Sequence, residues 1–282
     1  MSPVVAVIAA GGMGAAVGAR LCENGIRVLT SLDGRSAASA ARAKAAGMIA
    51  ASDPEIAAAD IVLSIVPPGE ALPLAQKLAP ALNAANKKPV YADCNAVNPD
   101  TVKRIAAVIA QAGCSFVDAG IIGGPPRAGY NGPSFYVSGE DAGKIEPLNE
   151  LGLVIRRMDG PIGAASAIKM SFGGITKGLI AIGSAMVLAA HRAGVSEALH
   201  AELAASQPAV LAYLTRMVPD MFPKAYRWVA EMEEIAGFTG SDAEREMYEA
   251  IATLYERLAQ DQAGAKDEIS ALAGFFPKAK PN

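Results

Sequence analysis

The stretch Val4-Val5-Ala6-Val7-Ile8-Ala9-Ala10-Gly11-Gly12-Met13-Gly14 decides the fold. Its unbroken apolar run (4–9) reads as a strand buried on both faces. Residues 14–24 read as a helix, stopped by Gly25 in the C′ position. The turn between them is A-x-G-x-x-G, one residue short of the dinucleotide fingerprint G-x-G-x-x-G. Gly11 lets a pyrophosphate approach the backbone, and Gly14 lets the helix lie close on its strand. The first amides of the helix, with its dipole, suit phosphate. Ala10, Gly11, Gly12, Met13 and Gly14 are thus the candidate phosphate cradle. A second strand, 27–32, ends about 20 residues further on, where the fingerprint reads the ribose. The chain there is Leu32-Asp33-Gly34-Arg35-Ser36. Asp33 suits the ribose hydroxyls of NAD. Arg35 and Ser36 form a cup for a 2′-phosphate and tip the choice to NADP, with NAD as the alternative.

Outward from this turn, short β-like runs alternate with alanine-rich helical ones. Ser36 is an N-cap for a helix over 37–46, which Gly47 closes. Residues 61–66 form a strand stopped by Pro67-Pro68, and 89–93 form another. Asn98-Pro99 places an N-cap before a proline at the first helical position, where no hydrogen bond is lost. That helix runs to Gln111. Strands over 116–119, 135–138 and 153–157 follow. This alternation means βαβ units and a largely parallel, doubly wound Rossmann-type sheet. After Asp159-Gly160-Pro161 the strands cease. Ala164–Arg192 reads as one helix about 43 Å long, apolar nearly all round and so expected to be buried on all sides, a second subunit covering one of them. Amphipathic helix over 197–213, 221–237 and 242–260, with Pro208, Pro219 and Pro223 as breaks, completes an all-α part. The fold class is therefore α/β followed by all-α, with a dinucleotide-binding domain over 1–162 and a helical substrate and dimerisation domain over 163–282.

Composition narrows the function. The 282 residues are 52% hydrophobic and 19% charged, with net charge −3. Such a chain buries a sizeable core. It has no basic run suited to nucleic acid or a charged membrane surface. Cys22, Cys94 and Cys114 lie far apart without metal spacing, which fits a reduced cytoplasm. Two histidines, His191 and His200, make a histidine-rich metal site unexpected. The N-terminus lacks a basic segment ahead of its apolar run, and the apolar run 178–190, interrupted by Gly183 and Ser184, is short for a bilayer.

Redox chemistry on an alcohol needs a group that takes the hydroxyl proton. Lys169 is the candidate, a cation in the first two turns of an otherwise apolar helix directly after the domain junction. Burial would lower its pKa toward neutrality unless it is paired. Gly173, one turn on, leaves that face open. A lysine merely reaching from a buried helix to solvent fits the spacing equally well. Asp93 and Asp118, acids at strand ends, read as loop organisers.

These motifs, in order, resemble the β-hydroxyacid dehydrogenase family (3-hydroxyisobutyrate and 6-phosphogluconate dehydrogenase-like). The resemblance covers nearly the whole chain. Residues 9–14 are similar to its cofactor loop, and Val66-Pro67-Pro68 to its V-P turn beside the cofactor. Asp93-Cys94-Asn95-Ala96-Val97-Asn98-Pro99 resembles its D-x-S-T-x-x-P segment near the nicotinamide. Asp118-Ala119-Gly120-Ile121-Ile122-Gly123-Gly124 resembles its D-A-P-V-S-G-G substrate loop. Gly163 to Lys169 matches its G-x-x-x-x-x-K motif. The resemblance implies Lys169 as general acid/base, Val66, Pro67 and Asn95 beside the cofactor, and Ile122, Gly123, Gly124 and Gly173 at a small-molecule substrate. It also implies an NAD(P)-dependent dehydrogenase of a small hydroxy acid. The departures are specific: Ile122 stands for the loop serine, Asn95 and Ala96 for serine and threonine, and Gly173 for an asparagine. The C-terminal part resembles a bacterial subfamily with an uncharacterised helical domain. Three rivals are an imine reductase, a non-catalytic dinucleotide-binding protein and a methyltransferase. Lys169 counts against the first two, and the long helix has no role in the third.

Overall fold

The computed structural model describes residues 2–277. Packing divides the chain into two compact units, Met1–Met170 and Ser171–Asn282, so the boundary falls inside the long helix.

In the first unit eight strands form one sheet in the order β3-β2-β1-β4-β5-β6-β7-β8. They are β1 (Val4–Ile8), β2 (Arg27–Thr30), β3 (Ile49–Ala50), β4 (Ile61–Ser64), β5 (Val90–Asp93), β6 (Ser115–Ile122), β7 (Ser134–Ser138) and β8 (Val154–Arg157). All neighbours are parallel except β6 and β7. The order 3-2-1-4-5-6 is the doubly wound Rossmann arrangement, whose ligands sit beyond the carboxyl ends of the strands. Helices α1 (Gly12–Glu23), α2 (Ala37–Ala45), α3 (Asp53–Ala57), α4 (Pro68–Ala84) and α5 (Pro99–Gln111) supply the crossovers. Two apolar layers pack on the sheet. Val5, Val7, Leu21 and Val28 belong to one, Ile8, Leu78, Tyr91 and Ile105 to the other.

Caps explain the helix starts. The Ser36 hydroxyl accepts from the Ser39 amide (3.3 Å), and Asn98 Oδ1 accepts from the Asp100 and Thr101 amides (3.0 and 2.9 Å). Each satisfies donors that a first turn leaves open. Helix α1 begins at Gly12, two residues earlier than its sequence implies, which brings Gly12 and Met13 into the first turn. The sequence pattern also misses α4 altogether, and β3 and α3 with it.

The second unit is helical. Helix α6 (Ala164–Arg192) runs into it, followed by α7 (Ser196–Ser206), α8 (Pro208–Met221), α9 (Ala225–Phe238), α10 (Asp242–Ala263) and α11 (Asp267–Phe275). Pro208 separates α7 from α8 within the stretch 197–213, as a break there implies, whereas Pro219 lies inside α8 without ending it. Within one chain, helix α6 buries one face and leaves the other exposed. Gly173, Gly174, Gly178, Ile180 and Val187 are buried, whereas Phe172, Ile175, Leu179, Ile182 and Met186 are 48–64% exposed. Their spacing, 3-4-3-4, is a coiled-coil seam. The short run 178–190 understates this helix. Its 29 residues are long and apolar enough to cross a membrane, and 44% of its most apolar stretch is buried inside the fold.

Candidate active site

The glycine turn joins β1 to α1 at the carboxyl edge of the sheet. A Cβ at Gly11 or Gly12 would meet nothing within 4 Å, whereas one at Gly14 would lie 1.9 Å from the Ala9 carbonyl oxygen. The first two glycines leave an open cradle, and the third is a packing requirement. Gly11 is the N-cap of α1, and no side chain caps that helix. Open glycines before an uncapped helix N-terminus fit a pyrophosphate. Met13 is half-buried and Ala10 buried. Arg42, a residue the sequence pattern does not single out, donates from Nε to the Ala10 carbonyl (3.1 Å) and from Nη2 to Ser39 Oγ (2.9 Å). It ties α2 to the cradle.

Beyond β1 and β2 lies a cavity of about 270 Å³ lined by Ile8, Ser31, Asp33, Arg35, Glu70 and Lys77, among others. Asp33 and Arg35 therefore share one concavity, with a third charge that α4 delivers. Lys77 Nζ is 3.0 Å from Asp33 Oδ2 and 3.8 Å from Asp53 Oδ2. The lysine holds the Asp33 carboxyl below its ordinary pKa. Ser36 stays at the start of α2 as its cap.

Val66, Pro67 and Asn95 meet beyond β4 and β5. Asn95 is 2% exposed. Its Oδ1 accepts from the Val66 amide (2.6 Å), and its Nδ2 donates to Ser64 Oγ and Asp93 Oδ2 (both 2.8 Å). The asparagine thus fixes the Val66-Pro67 turn from beneath. Asp93 also accepts from the Asn95 amide (3.1 Å). Burial raises the Asp93 carboxyl to about 7, with Asp118 across the strand pairing adding repulsion.

Asp118 is fully buried on β6 and builds the start of α6. Its Oδ2 accepts from the amides of Gly163 (2.8 Å), Ala165 (3.0 Å) and Ser166 (3.1 Å) and from Ser138 Oγ (3.0 Å). Its Oδ1 accepts from Ser166 Oγ (2.7 Å). One carboxylate thereby joins β6, β7 and α6. A Cβ at Gly120 would lie 2.6 Å from the Ala165 oxygen and 3.0 Å from Lys169 Cβ, so glycine is what admits the helix so close to the strand. One and a half turns into α6, Lys169 is half-buried rather than buried, and its Nζ donates to the Ile121 carbonyl (2.6 Å). That places the ammonium at the end of β6, at the carbonyl that precedes Ile122, Gly123 and Gly124 in the chain. Gly173 belongs to the second unit. A Cβ there would lie 3.6 Å from Ile235 Cδ1 and 3.7 Å from Lys177 Nζ. Lys177 pairs with Glu231 and lies 5.5 Å from the Trp228 ring.

Fold and cradle define a Rossmann dinucleotide-binding protein with a helical C-terminal part. Residues 4–150 match the family described as NAD binding domain of 6-phosphogluconate dehydrogenase, and residues 190–258 match a domain of unknown function, DUF1932. The chain belongs to the β-hydroxyacid dehydrogenase family, whose members use a nicotinamide dinucleotide. An uncharacterised 28.5 kDa protein of Methanothermus fervidus is 31% identical over 176 residues, 62% of this chain and 66% of that protein. A solved conserved protein of unknown function, described as structurally similar to 3-hydroxyacid dehydrogenases, is 29% identical (TM-score 0.69; 92% of this chain and 98% of that one). Mycobacterium tuberculosis 3-hydroxyisobutyrate dehydrogenase with L-serine shares the fold at 19% identity (TM-score 0.72; 97% and 99%).

Proposed function

We propose that the chain is an NAD(P)-dependent dehydrogenase or reductase acting on the alcohol or carbonyl carbon of a small hydroxy acid, with Lys169 as its general acid/base. The observation that carries this reading is the Lys169 bond to Ile121, which holds a cation at the substrate loop of a dinucleotide-binding unit. Ala10, Gly11, Gly12, Met13 and Gly14 would hold the pyrophosphate, and Val66 and Pro67, braced by Asn95, the nicotinamide side. A nicotinamide dinucleotide bound there supplies or accepts the hydride. The chain's own task is the proton: Lys169 Nζ takes it from the substrate hydroxyl in oxidation and returns it to the carbonyl oxygen in reduction. The Ile121 carbonyl and the capped start of α6 fix where that nitrogen stands. Ile122, Gly123 and Gly124 form the substrate's floor.

NADP is the proposed cofactor, with Arg35 as the 2′-phosphate cation. Lys77 supports the choice, since its pairing offsets the Asp33 charge that would otherwise repel a phosphate. Residues 163–282 form the proposed substrate and dimerisation domain, the exposed 3-4-3-4 seam of α6 being the surface a second copy would cover in a homodimer. The reduced Cys22, Cys94 and Cys114 suit the cytoplasm.

The test is Lys169→Ala against a panel of small 3-hydroxy acids with NADP and NAD. Positioned proton transfer typically contributes about 10²–10⁴-fold, so kcat should fall by that factor while the NADP Kd holds. Near-normal turnover in the variant would remove Lys169 from the reaction.

A further inference from the structure

The substrate loop carries Ile122 where the family pattern has a hydroxyl, yet the fold brings another hydroxyl to the same segment. After Gly124 the chain turns back on itself, with the Tyr130 amide donating to the Arg127 carbonyl (3.1 Å). The phenol of Tyr130 then lies on the loop's own glycines. A Cβ at Gly123 would stand 2.6 Å from Tyr130 Oη, and one at Gly132 would stand 2.9 Å from it. Arg127 lies over the same ring, its guanidinium carbon 5.6 Å from the centroid. The turn is held from behind by Arg20 of α1, whose Nη2 donates to the Arg127 and Tyr130 carbonyls (both 3.1 Å) and whose Nη1 donates to Gly152 (3.3 Å). No hydrogen bond among the described residues engages the Tyr130 hydroxyl. Lys169 meets this loop at Ile121, two residues before Gly123, and two residues span at most about 7 Å. The ammonium and the phenol beside its guanidinium thus meet the same loop two residues apart along the chain.

We propose that Tyr130, with Arg127 against its ring, is the carboxylate-recognising pair of the substrate loop and takes over the hydrogen bond that Ile122 cannot make. The phenol donates to one carboxylate oxygen, and the guanidinium adds charge of the right sign and a second set of donors. This assignment rests on the reading of residues 118–124 as the substrate loop. Tyr130 is a specificity-determining residue in it, distinct from the proton-transfer role of Lys169.

The test compares 3-hydroxyisobutyrate with its methyl ester, each with NADP, in the wild type, Tyr130→Phe and Arg127→Ala. Binding is read by calorimetry in the presence of NADPH, and turnover by absorbance. The wild type should prefer the acid. Tyr130→Phe should raise the acid's KM about 10–100-fold, as expected for one charge-assisted hydrogen bond, and the acid-over-ester preference should fall by the same factor. Its melting temperature and NADP Kd should hold, as they would for a folded protein. Arg127→Ala should raise the acid's KM about 3–10-fold, with the loss shrinking as salt is added. An unchanged acid-over-ester ratio in Tyr130→Phe would overturn the assignment. Wild-type turnover of the ester as readily as the acid would also overturn it, while leaving the dehydrogenase reading in place. If the wild type neither binds nor turns over acid or ester, the functional reading falls and this assignment with it.

Discussion

Asp118→Asn is the substitution that most directly tests how the chain sets Lys169 in place. Four donors converge on Oδ2 and one on Oδ1, all between 2.7 and 3.1 Å and all out of water. An asparagine amide oxygen at the Oδ2 position keeps the four acceptor bonds. The Ser166 hydroxyl can rotate to accept from the new amide nitrogen. What is lost is the charge. Hydrogen bonds to a charged group are worth about 1.5–3 kcal/mol against about 0.5–1.5 for neutral ones, but four donors sharing one oxygen do not add fully. An anion at a partly buried helix N-terminus contributes up to about 2 kcal/mol more. The lower desolvation cost of a neutral amide offsets part of this. The expected destabilisation is about 2–4 kcal/mol. Asp118→Ala would strand the Gly163 and Ser166 amides and two hydroxyls, a large part of the stability of a domain, so asparagine is the informative variant. Urea unfolding of the full chain by far-ultraviolet circular dichroism measures the loss, fitted with more than one transition because the chain has two units. A midpoint shift worth less than about 0.5 kcal/mol, the size of a surface substitution, would refute the account of Asp118 as the cap that builds the start of α6.

Other substitutions probe the remaining sites. Gly14→Val should abolish NADPH and NADH binding, because its Cβ meets the Ala9 carbonyl at 1.9 Å and α1 must move off the sheet; titration by fluorescence checks this, and unchanged affinity in a folded variant would remove the cradle. Asp93 is held protonated up to about pH 7 in the fold but ionises near 4 when unfolded. The folded chain therefore binds more protons across that window, and stability should fall as pH rises from about 4 to about 7, then level off. Calorimetric melts at pH 5 and 8 should show this slope in the wild type and a shallower one in Asp93→Asn; equal slopes would refute it. Ile175→Lys with Leu179→Lys should yield a monomer by light scattering at micromolar concentration if the exposed seam of α6 is the dimer surface, and a wild type that is itself monomeric would defeat that reading.

The cradle, the caps at Ser36 and Asn98, and the length of α6 are all local, and each is legible in the sequence. Glycine spacing, a capping side chain and a run without breakers act within a turn or two of chain. Helix α4 is the instructive failure. Pro67-Pro68 reads only as the stop of the preceding strand, yet Pro68 sits in the first turn of α4, where a missing amide costs nothing, and Pro73 and Pro80 inside that helix are exposed. The signal was present in Ala71, Leu74, Ala75, Leu78 and Leu82, all buried and at helical spacing. With that helix lost, Lys77 was lost too, and with it the charge that meets Asp33.

The rest of the site depends on pairs distant in sequence, which no local pattern carries. Arg42 reaches Ala10 across 32 residues, and Arg20 reaches Tyr130 across 110. Asp118 shows what separates a reading of residue type from a reading of role. An acid at a strand end suits a loop organiser, a ligand or a base equally. Only the convergence of Gly163, Ala165 and Ser166 on one oxygen decides among them, because a fully buried carboxylate whose two oxygens are occupied by five donors has no side open to a substrate. Lys169, one turn beyond that cap, has a donor nitrogen at the loop surface instead. The division of labour follows from burial: the enclosed acid builds the helix start, and the half-exposed lysine is left to meet the substrate.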